Sequence, residues 1–218
     1  MNTRFHSFDL VVTPAQVVDA AKAVFHTILL HRSTGKYTYN PQNPGTFSVG
    51  SVGVEDTDCT SMEFTYVRLS GDDMDHWIAG EVHGFASSLC QQGAGSRMGK
   101  ISLEFYERKK PRWLLPAETS NWETWQLTLH VVEPSTDAEL IQHQKRLTEE
   151  LADIVLHIGR ITSRPDYVPR NPTSDNHANV FETRFLSLQP YLHRIYYELP
   201  AETMAGTVRK LIRNTFAY

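Results

Sequence analysis

Apolar and polar positions along the chain follow two periods, and their succession predicts the elements. Phe8, Leu10 and Val12 alternate with Asp9 and Val11, which reads as a short first strand. The period then lengthens. Val17, Ala21, Val24, Phe25 and Ile28 recur at helical spacing, and Leu29 and Leu30 widen that face. Thr13 is the expected cap, Pro14 suits the first turn, Gln16 completes a Thr-x-x-Gln box, and Gly35 is the expected stop. Residues 37–54 read as a hairpin turning through Asn40, Pro41, Asn43, Pro44 and Gly45. Met62, Phe64 and Tyr66 predict a longer strand. A second helix is expected over 72–90, with Met74, Trp77, Ile78, Val82, Phe85 and Leu89 inward. A glycine-rich loop over 91–100 precedes a strand through Ile101, Leu103 and Phe105.

In the second half, Trp125, Leu127, Leu129 and Val131 alternate with Gln126, Thr128 and His130, so one face of a strand is apolar. A third helix is expected over 136–159. A Thr136-x-x-Glu139 box opens it, and Leu140, Leu147, Leu151, Ile154, Val155 and Ile158 form its stripe. Residues 164–179 hold three prolines and read as a long loop. A final strand is expected over 191–199, and a short basic helix over 204–216 with Val208, Leu211 and Ile212 inward. Strands joined by short turns and interrupted by helices favour an antiparallel α+β layer structure over a doubly wound sheet. Nothing divides two cores, so one domain over 1–218 is expected.

Composition narrows the classes. The chain has 218 residues, 40% hydrophobic and 21% charged, enough to fill a core. A net charge of −4 and a pI near 6.2 argue against a domain committed to a nucleic-acid backbone. Cys59 and Cys90 belong to no ligand-spaced cluster, and a reduced compartment is the simpler reading. The start of the chain lacks the apolar core of a secretory signal, and no apolar run approaches a membrane span, so a cytoplasmic or nuclear protein is expected.

The residue types that carry chemistry do not assemble into a catalytic pattern. Ser33-Thr34-Gly35-Lys36 resembles a fragment of a phosphate loop, but Leu30 and Tyr37 stand where that motif needs glycine and a hydroxyl, and the fragment follows a helix. Asp72, Asp73, Asp75 and His76 suit the acidic first turn of a helix better than a metal site. His26 and His31 are badly spaced for one helical face. Cys59 or Cys90 as a nucleophile would need a base that spacing does not supply. No catalytic residue, cofactor or metal is assigned.

Trp113 remains. It lies among Lys109, Lys110, Pro111, Arg112, Leu114, Leu115 and Pro116, has no periodic neighbours, and is expected in a loop. Two readings stay open: an exposed aromatic anchor for a partner, or a lid folded over the sheet edge. The cluster Arg108, Lys109, Lys110 and Arg112, like Arg209, Lys210 and Arg213, is either a solvated edge or a contact for anionic membrane or nucleic acid.

Several segments together resemble the autophagy-related protein 101 family. They are His31-Arg32-Ser33-Thr34-Gly35-Lys36, Phe64-Thr65-Tyr66-Val67-Arg68, Ser102-Leu103-Glu104-Phe105-Tyr106, Trp122-Glu123-x-Trp125, Asn179-Val180-Phe181, Gln189-Pro190-Tyr191-Leu192 and Arg209-x-Leu211-Ile212. The resemblance implies a single HORMA domain: a mainly antiparallel sheet backed by three helices, with a safety-belt-like C-terminal region over about 160–218. It also implies a non-enzymatic scaffold. Such a protein pairs with the HORMA domain of autophagy-related protein 13, belongs to the Unc-51-like kinase complex, and recruits downstream factors at autophagosome-formation sites. The family's exposed loop carries two aromatics with one residue between. That finger maps to the loop 108–118, with Trp113 as the first aromatic, Leu115 in place of the second, Leu114 between them, and Lys109, Lys110 and Arg112 as its basic support.

Overall fold

A computed structural model describes residues 3–91, 97–109, 118–164, 168–169 and 172–200. The elements in chain order are β1 (Arg4–Val12), a 3-10 turn (Pro14–Gln16), α1 (Val17–His31), β2 (Ser33–Gly35), β3 (Tyr37–Asn40) and β4 (Asn43–Val49). β5 (Val54–Asp58), β6 (Thr65–Leu69), α2 (Asp72–Cys90), β7 (Arg97–Arg108) and β8 (Thr119–Val131) follow. α3 (Asp137–Thr162), a second 3-10 segment (Ser174–Asn179), β9 (Leu188–Pro190) and β10 (His193–Glu198) complete the described chain.

The architecture is α+β. A four-stranded sheet has the order β1-β8-β7-β10; β8, β7 and β10 run antiparallel, while β1 joins β8 in parallel, with Phe8 opposite Leu127 and Leu10 opposite Leu129. Three two-stranded ribbons, β2-β9, β3-β4 and β5-β6, surround it. The three helices lie on the face carrying Ile101, Leu103, Leu127 and Leu129. α3 crosses β1, where His157 meets Phe8 edge-on, and α2 covers β7, where Phe85 and Leu89 crowd against Gly99. α1 packs against both other helices and β6 and is buried almost all round, from Val17 to Leu29. A single apolar face was expected for it; the central position explains the wider burial. α3 is flanked on one side only, so its buried set narrows to Leu147, Leu151, Ile154, Ile158 and Thr162, with Leu140 and Val155 half-buried.

The start of α1 follows its signals: the Gln16 side chain accepts from the Thr13 N–H at 2.9 Å, and the Gln16 N–H donates to the Thr13 carbonyl at 3.0 Å. Its end does not. The helix stops at His31, and Gly35 is the last residue of β2. There a Cβ would stand 1.8 Å from the Gly50 carbonyl oxygen, so glycine is required by a close backbone approach and not as a helix stop. Other expectations shift in smaller ways. The strand expected through Met62 begins only at Thr65, because the Cys59–Phe64 turn docks on α1: Asp19 Oδ2 accepts from the backbone and hydroxyl groups of Thr60 and Ser61, at 2.6–3.1 Å. β5, its partner, was not anticipated. β7 begins at Arg97, inside the expected loop, and the final strand begins at His193, with Tyr191 making an isolated bridge to Phe181. The expected helix over 204–216 lies outside the described residues.

Candidate partner-binding site

β7 and β8 form the long hairpin that bears the expected finger. Its ladder runs from Arg97 opposite Val131 to Arg108 opposite Thr119, with one register shift between Phe105 and Tyr106. Beyond it, the Lys109 N–H donates to the Glu118 carbonyl at 2.8 Å, and Lys109 Nζ lies 3.2 Å from the Glu118 carboxylate. Residues 110–117, and with them Lys110, Arg112, Trp113, Leu114 and Leu115, lie outside the described residues. The structure therefore defines the stem of the loop and its cation Lys109, which is paired with Glu118.

Near its loop end the hairpin carries an aromatic column. Trp122 packs against Phe105 and, edge-on, against Tyr191, each at 5.4 Å between ring centres. Tyr191 stacks on Phe181 at 4.7 Å, and Phe181 lies 5.1 Å from Tyr37, whose ring continues to Tyr39 and Phe47 on the β3-β4 ribbon and to His177 of the 3-10 segment. Tyr39 Oη fixes the end of the column by donating to the Pro172 carbonyl at 3.1 Å, and it lies 3.0 Å from His177 Nδ1.

Beside Trp122 the chain buries a full ion pair. Arg32 is 1% exposed and Glu123 0%. Arg32 Nε and Nη2 donate to the two Glu123 oxygens at 2.7 and 2.8 Å, the planar fork matching the carboxylate. Nη1 lies 3.4 Å from both the Thr162 and His31 carbonyls, the long end of hydrogen-bonding range, and so faces the negative C-terminal end of α3. The Arg32 carbonyl accepts from the Tyr191 N–H at 3.0 Å. Next to it β2 pairs with β9, and the Gln189 side chain accepts from the Tyr37 N–H at 2.9 Å.

Four of the segments that carry the family resemblance thus meet in space: Arg32 with Glu123, Trp122 with Tyr191, and Tyr191 with Phe181. Neither Arg32 nor Glu123 was singled out from the residues. A signal existed for Glu123, because the alternation Trp125, Leu127, Leu129 taken one step back places it on the core face. No comparable signal exists for Arg32, which follows the helix period and precedes the strand period.

A second ionic hub binds α1, α2 and β6. Asp75 Oδ1 accepts from Lys22 Nζ at 2.8 Å and His26 Nε2 at 3.0 Å, and Arg68 approaches Oδ2 at 3.9 Å. The His26 hydrogen bond and the Lys22 ammonium hold the Asp75 carboxyl well below the usual carboxylate range, while burial lowers the His26 imidazole. Asp75 is thereby occupied in pairing, and among the described residues no cluster of three or more His, Cys, Asp or Glu side chains is arranged to hold a metal. Burial, with Asp19 and Asp58 nearby, pushes the Cys59 thiol up to about 12, so it stays protonated at neutral pH and makes a poor nucleophile. No helix among the described residues is long and apolar enough to cross a membrane.

The chain matches the family described as autophagy-related protein 101 over residues 9–175. It is 38% identical over 220 aligned positions to the autophagy-related protein 101 of Homo sapiens and to that of Rattus norvegicus, with the whole of each chain covered. The Arabidopsis thaliana protein of the same name is 23% identical over 141 positions, covering 64% of this chain and 58% of the plant protein. With the match spanning most of the domain and identity running its full length, the chain belongs to the autophagy-related protein 101 family, and its role lies in autophagy.

Proposed function

We propose that the protein is a non-enzymatic scaffold of autophagosome formation. It pairs with the HORMA domain of autophagy-related protein 13, stabilises it within the Unc-51-like kinase complex, and recruits downstream autophagy factors through the Trp113 loop. It acts in the cytoplasm and is brought to sites where autophagosomes form. The observation that carries this reading is the β7-β8 hairpin. Its stem is laddered to Arg108 and Thr119, Trp122 and Glu123 are buried near its loop end, and the segment with Trp113 and Leu115 joins its two strand ends. A rigid stem presenting an aromatic at its tip is a low-entropy anchor for a partner pocket.

The surface for the partner HORMA domain is the solvent side of α3 with the neighbouring sheet edge. Two large apolar residues stand exposed on α3, Ile141 at 67% and Leu156 at 57%, and β1 is the neighbouring edge strand. Such residues at the centre of an interface contribute most when water is excluded around them.

The deciding experiment co-expresses the chain with the partner domain and follows it by size-exclusion chromatography, then measures capture of downstream factors. Wild type and Trp113→Ala both co-elute as a heterodimer; only Trp113→Ala loses capture. Persistent monomers at micromolar concentration would sink the pairing. A large fall in melting temperature for Trp113→Ala would instead make that residue a lid. Salt-dependent binding of the wild type to anionic vesicles or oligonucleotides, lost in a variant neutralised at Arg108, Lys109, Lys110 and Arg112, would favour the basic-contact reading.

A further inference from the structure

Arg32 touches both ends of one stretch of chain. Through its guanidinium it reaches the Thr162 carbonyl, where α3 ends, and through its own carbonyl it receives the Tyr191 N–H, just after β9. The residue that follows it begins β2, the strand on which β9 is seated, with Ser33 opposite Pro190 and Gly35 opposite Leu188. Its two shortest side-chain bonds go to Glu123, near the loop end of the β7-β8 hairpin. We infer that the Arg32–Glu123 pair is a latch that makes residues 158–163 and 188–192 one cooperative opening unit, so that these two segments open together or not at all.

The physical case rests on direction. A buried ion pair contributes little net stability compared with a well-packed apolar replacement, because desolvation offsets the attraction. What the pair supplies that apolar packing does not is a fixed geometry. The carboxylate locks the guanidinium plane, and the locked plane leaves Nη1 facing the last carbonyl of α3. Local openings in folded proteins follow such cooperative units more than distance along the chain. With 1% of Arg32 exposed, no solute competes for the guanidinium from outside, so the latch yields only when the unit itself opens. This inference stands on the contacts of Arg32 and not on recruitment by Trp113, so either can fail alone.

The test is amide hydrogen exchange on the full chain, at rising sub-denaturing urea, comparing wild type with the double variant Arg32→Met, Glu123→Leu. In the wild type, amides of the last turn of α3 and of Tyr191 share one opening isotherm. In the double variant the cooperative melt of the sheet persists, but exchange at both ends rises roughly tenfold or more, while amides around Leu103 and Leu127 stay within about twofold of wild type. Separate isotherms for the two ends in the wild type, or a double variant that folds and keeps wild-type exchange at both, would overturn the latch. If the double variant does not fold, Glu123→Gln decides. It keeps the shape but removes the charge, and a rise confined to the same two ends supports the latch, whereas a uniform rise across the sheet refutes it.

Discussion

Glu123 and His193 are both buried and titratable, and the fold accommodates them by opposite routes. Glu123 is matched by Arg32, which meets its two carboxylate oxygens with two bonds. Removing one partner leaves the other charged and dry. Arg32→Ala is therefore expected to cost about 3–5 kcal/mol in urea unfolding, far more than the paired apolar replacement. His193 keeps no charge. It lies among Trp77, Phe105 and Phe185, its Nδ1–H donates to the Tyr191 carbonyl at 2.8 Å, and its Nε2 has no partner among the described residues. Burial pushes it down to about 4, helped by Arg184 and opposed by the Tyr191 hydrogen bond and Glu182. Between the ordinary histidine value and that figure, the unfolded chain binds a proton that the native chain refuses. Stability should be flat above about pH 6.5 and fall as pH drops toward 4, by of order 3 kcal/mol from this residue. Buried His26, whose value is also lowered, acts in the same direction. Denaturant melts across that range check this, and His193→Phe should flatten the slope.

Among elements, the least anticipated is β2. Three residues read as the tail of a helix are in fact a strand, because Arg32 turns inward to Glu123 and the chain behind it must then lie along β9. The turn leaves no room at Gly35. Gly35→Ala drives a methyl into the Gly50 carbonyl and is expected to lose about 3 kcal/mol, read as a lower melting temperature with exchange rising first at β2 and β9. The β7-β8 hairpin is described only as far as its stem, up to Lys109 and Glu118. On the recruiting reading, Leu115→Phe restores a second ring beside Trp113. It should tighten capture of a downstream factor by about 1 kcal/mol in titration calorimetry with no change in melting temperature.

At the scale of the molecule, the helices are all on one side of the sheet, and the other side shows Asp9, Lys100, Glu104, Gln126, His130 and Arg194, with Arg194 bonded to Glu104 at 2.6 Å. If α3 is the surface for the partner domain, this polar face is free of it. Gln126→Lys should then leave co-elution intact and shift stability by less than about 0.5 kcal/mol, whereas Leu156→Asp should abolish co-elution without unfolding the chain. The three helices, the β8 strand and the α+β class were readable from residue periods, since local spacing fixes which face of a helix or strand is apolar whatever it packs against. α2 runs over the very residues its pattern marks, the Gln16 side chain accepts from the Thr13 N–H, and the Thr136 hydroxyl accepts from the Glu139 N–H. Periodicity is blind to contacts between distant segments. The parallel pairing of β1 with β8, the β2-β9 ribbon and the turn docked on Asp19 each join residues far apart in sequence, and their signals in either segment alone are a few polar residues. The same limit applies to Trp113: its lack of periodic neighbours predicts a loop, and spacing does not choose between an anchor and a lid; the residue lies outside the described residues. Arg32 is the sharpest case. Its sequence neighbourhood mixes helix end, hydroxyls and glycine, and only the folded chain brings Glu123, Thr162 and Tyr191 around it, because burying a guanidinium is tolerable only where a carboxylate and free carbonyls already converge.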